Sequence, residues 1–218
     1  MGILASRTLL DLASFSIIAS MGTLLIAVGL FDVDALTTAL YYLVHSTLAA
    51  AALFLLVDLV SERRGQTLDA LVPANPISQS PLLGALFLLT AIAVIGLPPL
   101  SGFIGKLMIL NATYENPQAW LIWGLVLGAS LMMTIAIARA GSIVFWETDG
   151  RTTGSTWANA RVAPMVVVAL LVCASALLAV FAGPVVEALH ATAEQALDPA
   201  RYIDAVLGGG QATQAPGG

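Results

Sequence analysis

The chain has 218 residues, of which 59% are hydrophobic and 10% charged; its mean hydropathy is +0.93 and its formal net charge −5. Soluble domains carry about 25% charged and about 45–50% apolar residues, so this composition excludes an ordinary soluble domain and points to the bilayer. The scattered Lys and Arg exclude a nucleic-acid footprint, and a single cysteine, Cys173, excludes an intrachain disulfide or a multi-cysteine metal site. No phosphate loop, nucleophile motif or metal cluster supports a soluble enzyme. A cleavable signal is also missing from the first residues, so the first apolar run is expected to remain in the mature chain.

A membrane-spanning helix needs about 20 mostly apolar residues, and five stretches qualify: 12–31, 35–60, 81–111, 119–146 and 162–189. They define an all-α membrane domain over residues 1–190. A short external segment, 191–207, and a Gly/Gln/Ala/Pro-rich disordered tail, 208–218, follow. In the first span Ser16, Ser20 and Thr23 share one helical face, a pattern that helix packing explains by itself.

The second span carries His45 about ten residues in, near the midplane. Thr38 and Tyr41 share its face, and Ser46 and Thr47 add hydroxyls nearby. Two readings stand here: a hydrogen-bonded packing histidine, or a proton relay, which a side chain of unperturbed pKa near about 6.5 serves in either direction. Asp58 closes the span, either as a solvated end or as a group that takes up a proton.

The third span is interrupted by Leu97-Pro98-Pro99-Leu100-Ser101-Gly102. Two adjacent prolines remove two backbone donors and clash with the preceding turn, so the helix is expected to break there and restart near Ser101. Freed backbone groups at membrane depth are tolerated only against protein or a wet cavity, and broken helices of this kind line ion pathways. Lys106, the only lysine, follows the break. A charged amine in hydrocarbon costs several kcal/mol, about 2.5–3.5 on insertion scales. It must either snorkel outward or occupy a polar cavity. The level of Glu115 lies nine residues away, about 13 Å at 1.5 Å per residue, a long reach for one side chain.

The fourth span contains a GxxxG pair, Gly124 and Gly128, and ends near Arg139, an interfacial anchor. The fifth holds Cys173, read as a buried small hydrophobe, and His190 at its outer end is read as solvated. Arg7, Arg63, Arg64, Arg139, Arg151 and Arg161 fall on one side of this arrangement and Arg201 alone on the other. That bias places the N-terminus in the cytoplasm and the C-terminus outside. Trp146 and Trp157 on one side, with Trp120 and Trp123 on the other, form an aromatic belt.

The run Gly96-Leu97-Pro98-Pro99-Leu100-Ser101-Gly102-Phe103-Ile104-Gly105-Lys106 resembles the broken-helix signature of the antiporter-like subunits. These are the large membrane subunits of complex I and the A-type and D-type subunits of the Mrp-type multisubunit cation/proton antiporters. Residues 41–56 resemble the family's histidine helix, and residues 138–146 are similar to the Mrp D-type in particular. The resemblance implies proton transport with Lys106 as the proton-carrying lysine near the external exit and His45 as the central relay. It also implies exchange of H+ for a monovalent cation, Na+ first, no cofactor, other antiporter subunits as partners, and a multi-pass place in the bacterial inner membrane.

Position 49 departs from the pattern: many relatives carry a second lysine four residues after the histidine, and here Ala49 stands there, which favours the D-type. Relatives have about fourteen spans in two inverted halves, so the five spans here correspond to the last five. The expectation is a C-terminal part that does not transport by itself. The rival readings are a proton-translocating subunit of complex I or of a membrane-bound hydrogenase, and a non-transporting membrane scaffold.

Overall fold

The computed structural model describes residues 2–74, 80–146 and 162–200, together with Ile203 and Val206. Seven α-helices occur among these residues: α1 (Leu9–Val28), α2 (Val33–Arg64), α3 (Ser80–Ile95), α4 (Ser101–Ala112), α5 (Ala119–Phe145), α6 (Val162–Val180) and α7 (Ala182–Ala196). Helices α1, α2, α5 and α6 are each long and apolar enough to cross a bilayer. With 16 and 12 residues, α3 and α4 each fall short of a span. Their combined rise, about 42 Å at 1.5 Å per residue, exceeds the hydrocarbon core of about 30 Å, so together they make the third crossing, broken around Pro98-Pro99.

Local chemistry sets the ends of the helices. Thr8 caps α1 by accepting from the Asp11 amide at 3.0 Å, and Asp32 caps α2 by accepting from the amides of Asp34 and Ala35 at 3.0 and 3.3 Å. At the other end of α2, the Arg64 guanidinium gathers the carbonyls of Leu68, Ala70 and Val72. Leu71 donates to the Arg7 carbonyl at 2.8 Å, Leu9 to that of Asp69 at 2.8 Å, and Arg139 Nη2 to that of Ser6 at 2.8 Å. Arg64 and Arg139 thus fasten the polar segments at the ends of the bundle as well as carrying charge there.

Helix α2 is the axis of the bundle, packed against α1, α3, α4, α6 and α7, while α5 closes the far side against α1, α3 and α4. Tyr41, Tyr42, His45, Leu53, Leu56 and Leu59 on α2 are all buried. Lipid is as apolar as these side chains, so close packing and interhelical hydrogen bonds, rather than expulsion of water, hold such helices together.

Several expectations need correction. The fifth apolar stretch is not one helix: it turns at Phe181, and α7 runs on from Ala182 to pack along α2. Its composition gives the reason, since Glu187, His190 and Glu194 make α7 amphipathic. Cys173 is exposed on the outer face of α6 rather than buried. A Cβ at Gly124 or Gly128 would meet nothing within 4 Å, so neither glycine serves packing among the described residues. His190 is not simply solvated: its Nε2 lies 3.4 Å from Asp34 and its Nδ1 3.7 Å from Glu194. Arg151, Trp157, Arg161, Arg201 and the tail 208–218 lie outside the described residues.

Candidate functional site

The site is built on the break between α3 and α4. Gly96, with φ of 79°, closes α3 in a left-handed turn. Its amide donates to the Ala93 carbonyl at 3.1 Å, and that of Leu97 to Ile92 at 3.0 Å. These are the two bonds that end a helix at a left-handed glycine. The carbonyls of Val94 and Ile95 lose their helical donors, because residues 98 and 99 are both proline. In a continuous helix the amide of residue 99 would donate to Ile95, but Pro99 has no N–H. The Lys106 ammonium takes that place, donating to Ile95 O at 2.7 Å. It also donates at 2.8 Å to Ser130 Oγ on α5, whose own hydrogen goes to the Val126 carbonyl at 2.9 Å. Lys106 is therefore turned back toward the break and is half-buried rather than extended outward. The negative end of the α3 dipole suits a cation in this position.

His45 occupies the other side of the break and is 2% exposed. Its Nδ1 lies 2.8 Å from Ser101 Oγ, at the start of α4, and Ser101 Oγ lies 2.8 Å from Ser175 Oγ on α6. All three are buried, so the histidine is oriented by a hydroxyl pair drawn from two other helices. Gly102 allows this approach: a Cβ there would fall 2.6 Å from His45 Nε2 and 2.7 Å from the Ala93 carbonyl oxygen. The break thus presents a free carbonyl to the lysine and a serine at a helix start to the histidine.

The remaining residues singled out by sequence separate. Pro98 and Pro99 are exposed and joined by a cis peptide bond. Tyr41, although on the His45 face, sends its hydroxyl to the Leu178 carbonyl at 3.1 Å. Thr38 donates to its own helix at Asp34 O, 2.9 Å away, and lines an outer cleft of about 960 Å³ together with Asp32, Glu115 and His190. Ser46 and Thr47 line a cavity of about 210 Å³ with His45, Ser16 and Ser20. Asp58 is exposed on α2, thirteen residues from His45 or about 20 Å along the axis.

Sequence reasoning missed Ser130 and Ser175 and assigned Ser16 and Ser20 to packing. Serines are frequent in membrane helices, and nothing local marks those that reach another helix. Among the described residues no group of His, Cys, Asp and Glu has the arrangement to hold a metal ion.

Comparison with known proteins gives a consistent set of likenesses. A family model described as NADH:quinone oxidoreductase/Mrp antiporter, TM, matches residues 4–134. The chain is 34% identical to the D-type member of a probable K(+)/H(+) antiporter of Rhizobium meliloti (strain 1021), over 94% of this chain and 43% of that protein. It is 30% identical to the D-type member of the Na(+)/H(+) antiporter of Bacillus subtilis (strain 168), over 94% of this chain and 41% of that protein. The chain therefore spans less than half the length of these curated relatives.

Its fold is similar to a chain in the Mrp complex from Dietzia sp. DQ12-45-1b, with a TM-score of 0.80 at 20% identity, covering 94% of this chain and 46% of that one. It is likewise similar to a chain of respiratory complex I from Thermus thermophilus, with a TM-score of 0.74 at 27% identity, covering 89% and 40%.

Proposed function

This chain belongs to the NADH:quinone oxidoreductase/Mrp antiporter membrane family, and from that premise we propose that it moves protons through Lys106 and His45 as part of a multisubunit monovalent cation/proton antiporter. It is a multi-pass membrane protein by family and by its apolar helices. The carrying observation is the inward-turned Lys106 ammonium, held by the carbonyl that Pro99 leaves without a backbone donor. A lysine with only a structural use would be expected to snorkel toward the interface. This one lies beside the Ser130 hydroxyl and lines a small pocket that Ser20 separates from the cavity lined by His45. A lysine amine and an imidazole can each accept and donate a proton.

The names of the curated relatives support K+ or Na+ as the exchanged cation and the Mrp D-type as the counterpart. Arg7, Arg63, Arg64 and Arg139 at one end of the bundle support a cytoplasmic N-terminus and an external C-terminus in the bacterial inner membrane. On this reading the chain is a transporter component rather than an enzyme. The likeness to a complex I chain supports a second reading, in which the same relay is driven by quinone reduction.

The test is cation-induced dequenching of a pH-sensitive dye in vesicles carrying the assembled complex. Lys106→Ala abolishes exchange at normal protein levels. Lys106→Arg abolishes it too, because guanidinium keeps its proton at any accessible pH. His45→Ala impairs exchange less, since water and the adjoining hydroxyls partly bridge the gap. Full exchange by Lys106→Ala would reduce the lysine to an anchor and end the proposal.

A further inference from the structure

His45 and Lys106 flank the same break, yet their described hydrogen bonds go to other residues: His45 to Ser101, Lys106 to Ile95 and Ser130. The His45 Nε2 edge abuts the Gly102 backbone. A proton passing between the two side chains therefore needs another route. Two cavities provide one. The 210 Å³ cavity is lined by His45, and a small pocket of about 10 Å³, the space of roughly a single water, is lined by Lys106. Only Ser20 and Val94 line both, and of these only Ser20 has a group able to carry a proton.

The hydrogen bonding on the cavity wall separates Ser20 from its neighbours. Ser16 donates its hydroxyl hydrogen to the Ala13 carbonyl at 2.7 Å, Ser46 donates to Leu43 O at 3.1 Å, and Thr47 to the same carbonyl at 2.8 Å. These three hydroxyls have committed their hydrogens to their own helices and offer only lone pairs. Ser20 accepts from the Tyr42 hydroxyl at 3.5 Å and donates no described hydrogen bond. Its own O–H is free to turn toward either cavity. Tyr42 in turn lies against the His45 ring, with centroids 5.7 Å apart.

We propose that the Ser20 hydroxyl passes protons between the His45 cavity and the Lys106 pocket. In one passage an excess proton carried by water on the His45 side (H3O+) passes to Ser20 Oγ, forming one O–H bond and leaving H2O. The original Ser20 O–H bond breaks as its proton moves to the water or neutral amine on the Lys106 side. Serine begins and ends neutral, and the hydroxyl then rotates back to repeat the step. This inference rests on the Lys106/His45 reading of the preceding subsection and adds to it a group on α1.

The experiment measures exchange in vesicles carrying the assembled complex, normalised to the amount of assembled protein, in H2O and in D2O. Ser20→Thr keeps the hydroxyl, and Ser20→Val has the same shape without it. Ser20→Thr should retain exchange within about twofold, whereas Ser20→Val should lose about a hundredfold, the lower reach of what a positioned proton-transfer group contributes. Ser20→Ala should fall between them, because the vacated space admits a water. The D2O slowing should be larger in Ser20→Ala than in the wild type, as the altered passage becomes limiting.

Lys106→Ala is run alongside. If it exchanges normally, the relay reading itself fails. If it is inactive while Ser20→Val exchanges at the wild-type rate, the relay stands and the Ser20 passage is overturned. Equal losses in Ser20→Thr and Ser20→Val also overturn it, by making volume rather than the hydroxyl the cause.

Discussion

Gly102→Ala is the smallest change that reaches the centre of the site. The added Cβ would lie 2.6 Å from His45 Nε2, 2.8 Å from His45 Cε1 and 2.7 Å from the Ala93 carbonyl oxygen. Carbon contacts settle at about 3.5–4.0 Å, so all three are too short by well over half an ångström. Neither neighbour yields easily. The Ala93 oxygen belongs to the backbone of α3, and the His45 ring is held by Ser101 at 2.8 Å, itself held by Ser175. Relief requires α4 to move off α2 and α3, or the imidazole to turn and loosen its hydroxyl partner.

Overpacking of this kind costs about 1–3 kcal/mol, and every 1.4 kcal/mol is about a factor of ten in an equilibrium. The site should therefore hold its productive arrangement about five- to 150-fold less often. Exchange in vesicles should fall by about fivefold or more, and the assembled complex should lose heat resistance in a thermal-shift measurement. Gly128→Ala is the control, because its Cβ meets nothing within 4 Å, and it should leave both readouts unchanged. Wild-type exchange and heat resistance in Gly102→Ala would show that α4 and His45 do not approach each other as described.

Ser130→Ala removes one of the two described partners of Lys106. A hydrogen bond to a charged group contributes about 1.5–3 kcal/mol, so exchange should drop by about tenfold or more at unchanged expression; equal activity would mean that the ammonium does not depend on α5. The orientation is open to a labelling test in a Cys173→Ala background, with single cysteines at the exposed positions Val72 and Gln118. An impermeant thiol reagent applied outside intact cells should modify Gln118→Cys and spare Val72→Cys, and the opposite pattern would reverse the orientation.

The sequence by itself determined the parts of this protein that the solvent dictates. Apolar runs of span length, the broken third crossing and the place of Lys106 just after the break follow from the cost of exposing backbone and charge to hydrocarbon.

What only the tertiary structure decided was how the helices rotate against one another. That rotation turns Tyr41 to the Leu178 carbonyl rather than toward the histidine, draws Ser175 and Ser130 to the break from α6 and α5, and leaves Cys173 facing outward. In a bilayer the hydrophobic pattern barely distinguishes one helix face from another, because lipid and helix interior are similarly apolar. The faces that meet are chosen by side-chain fit and a few hydroxyl bonds, and those depend on pairs of residues distant in the chain.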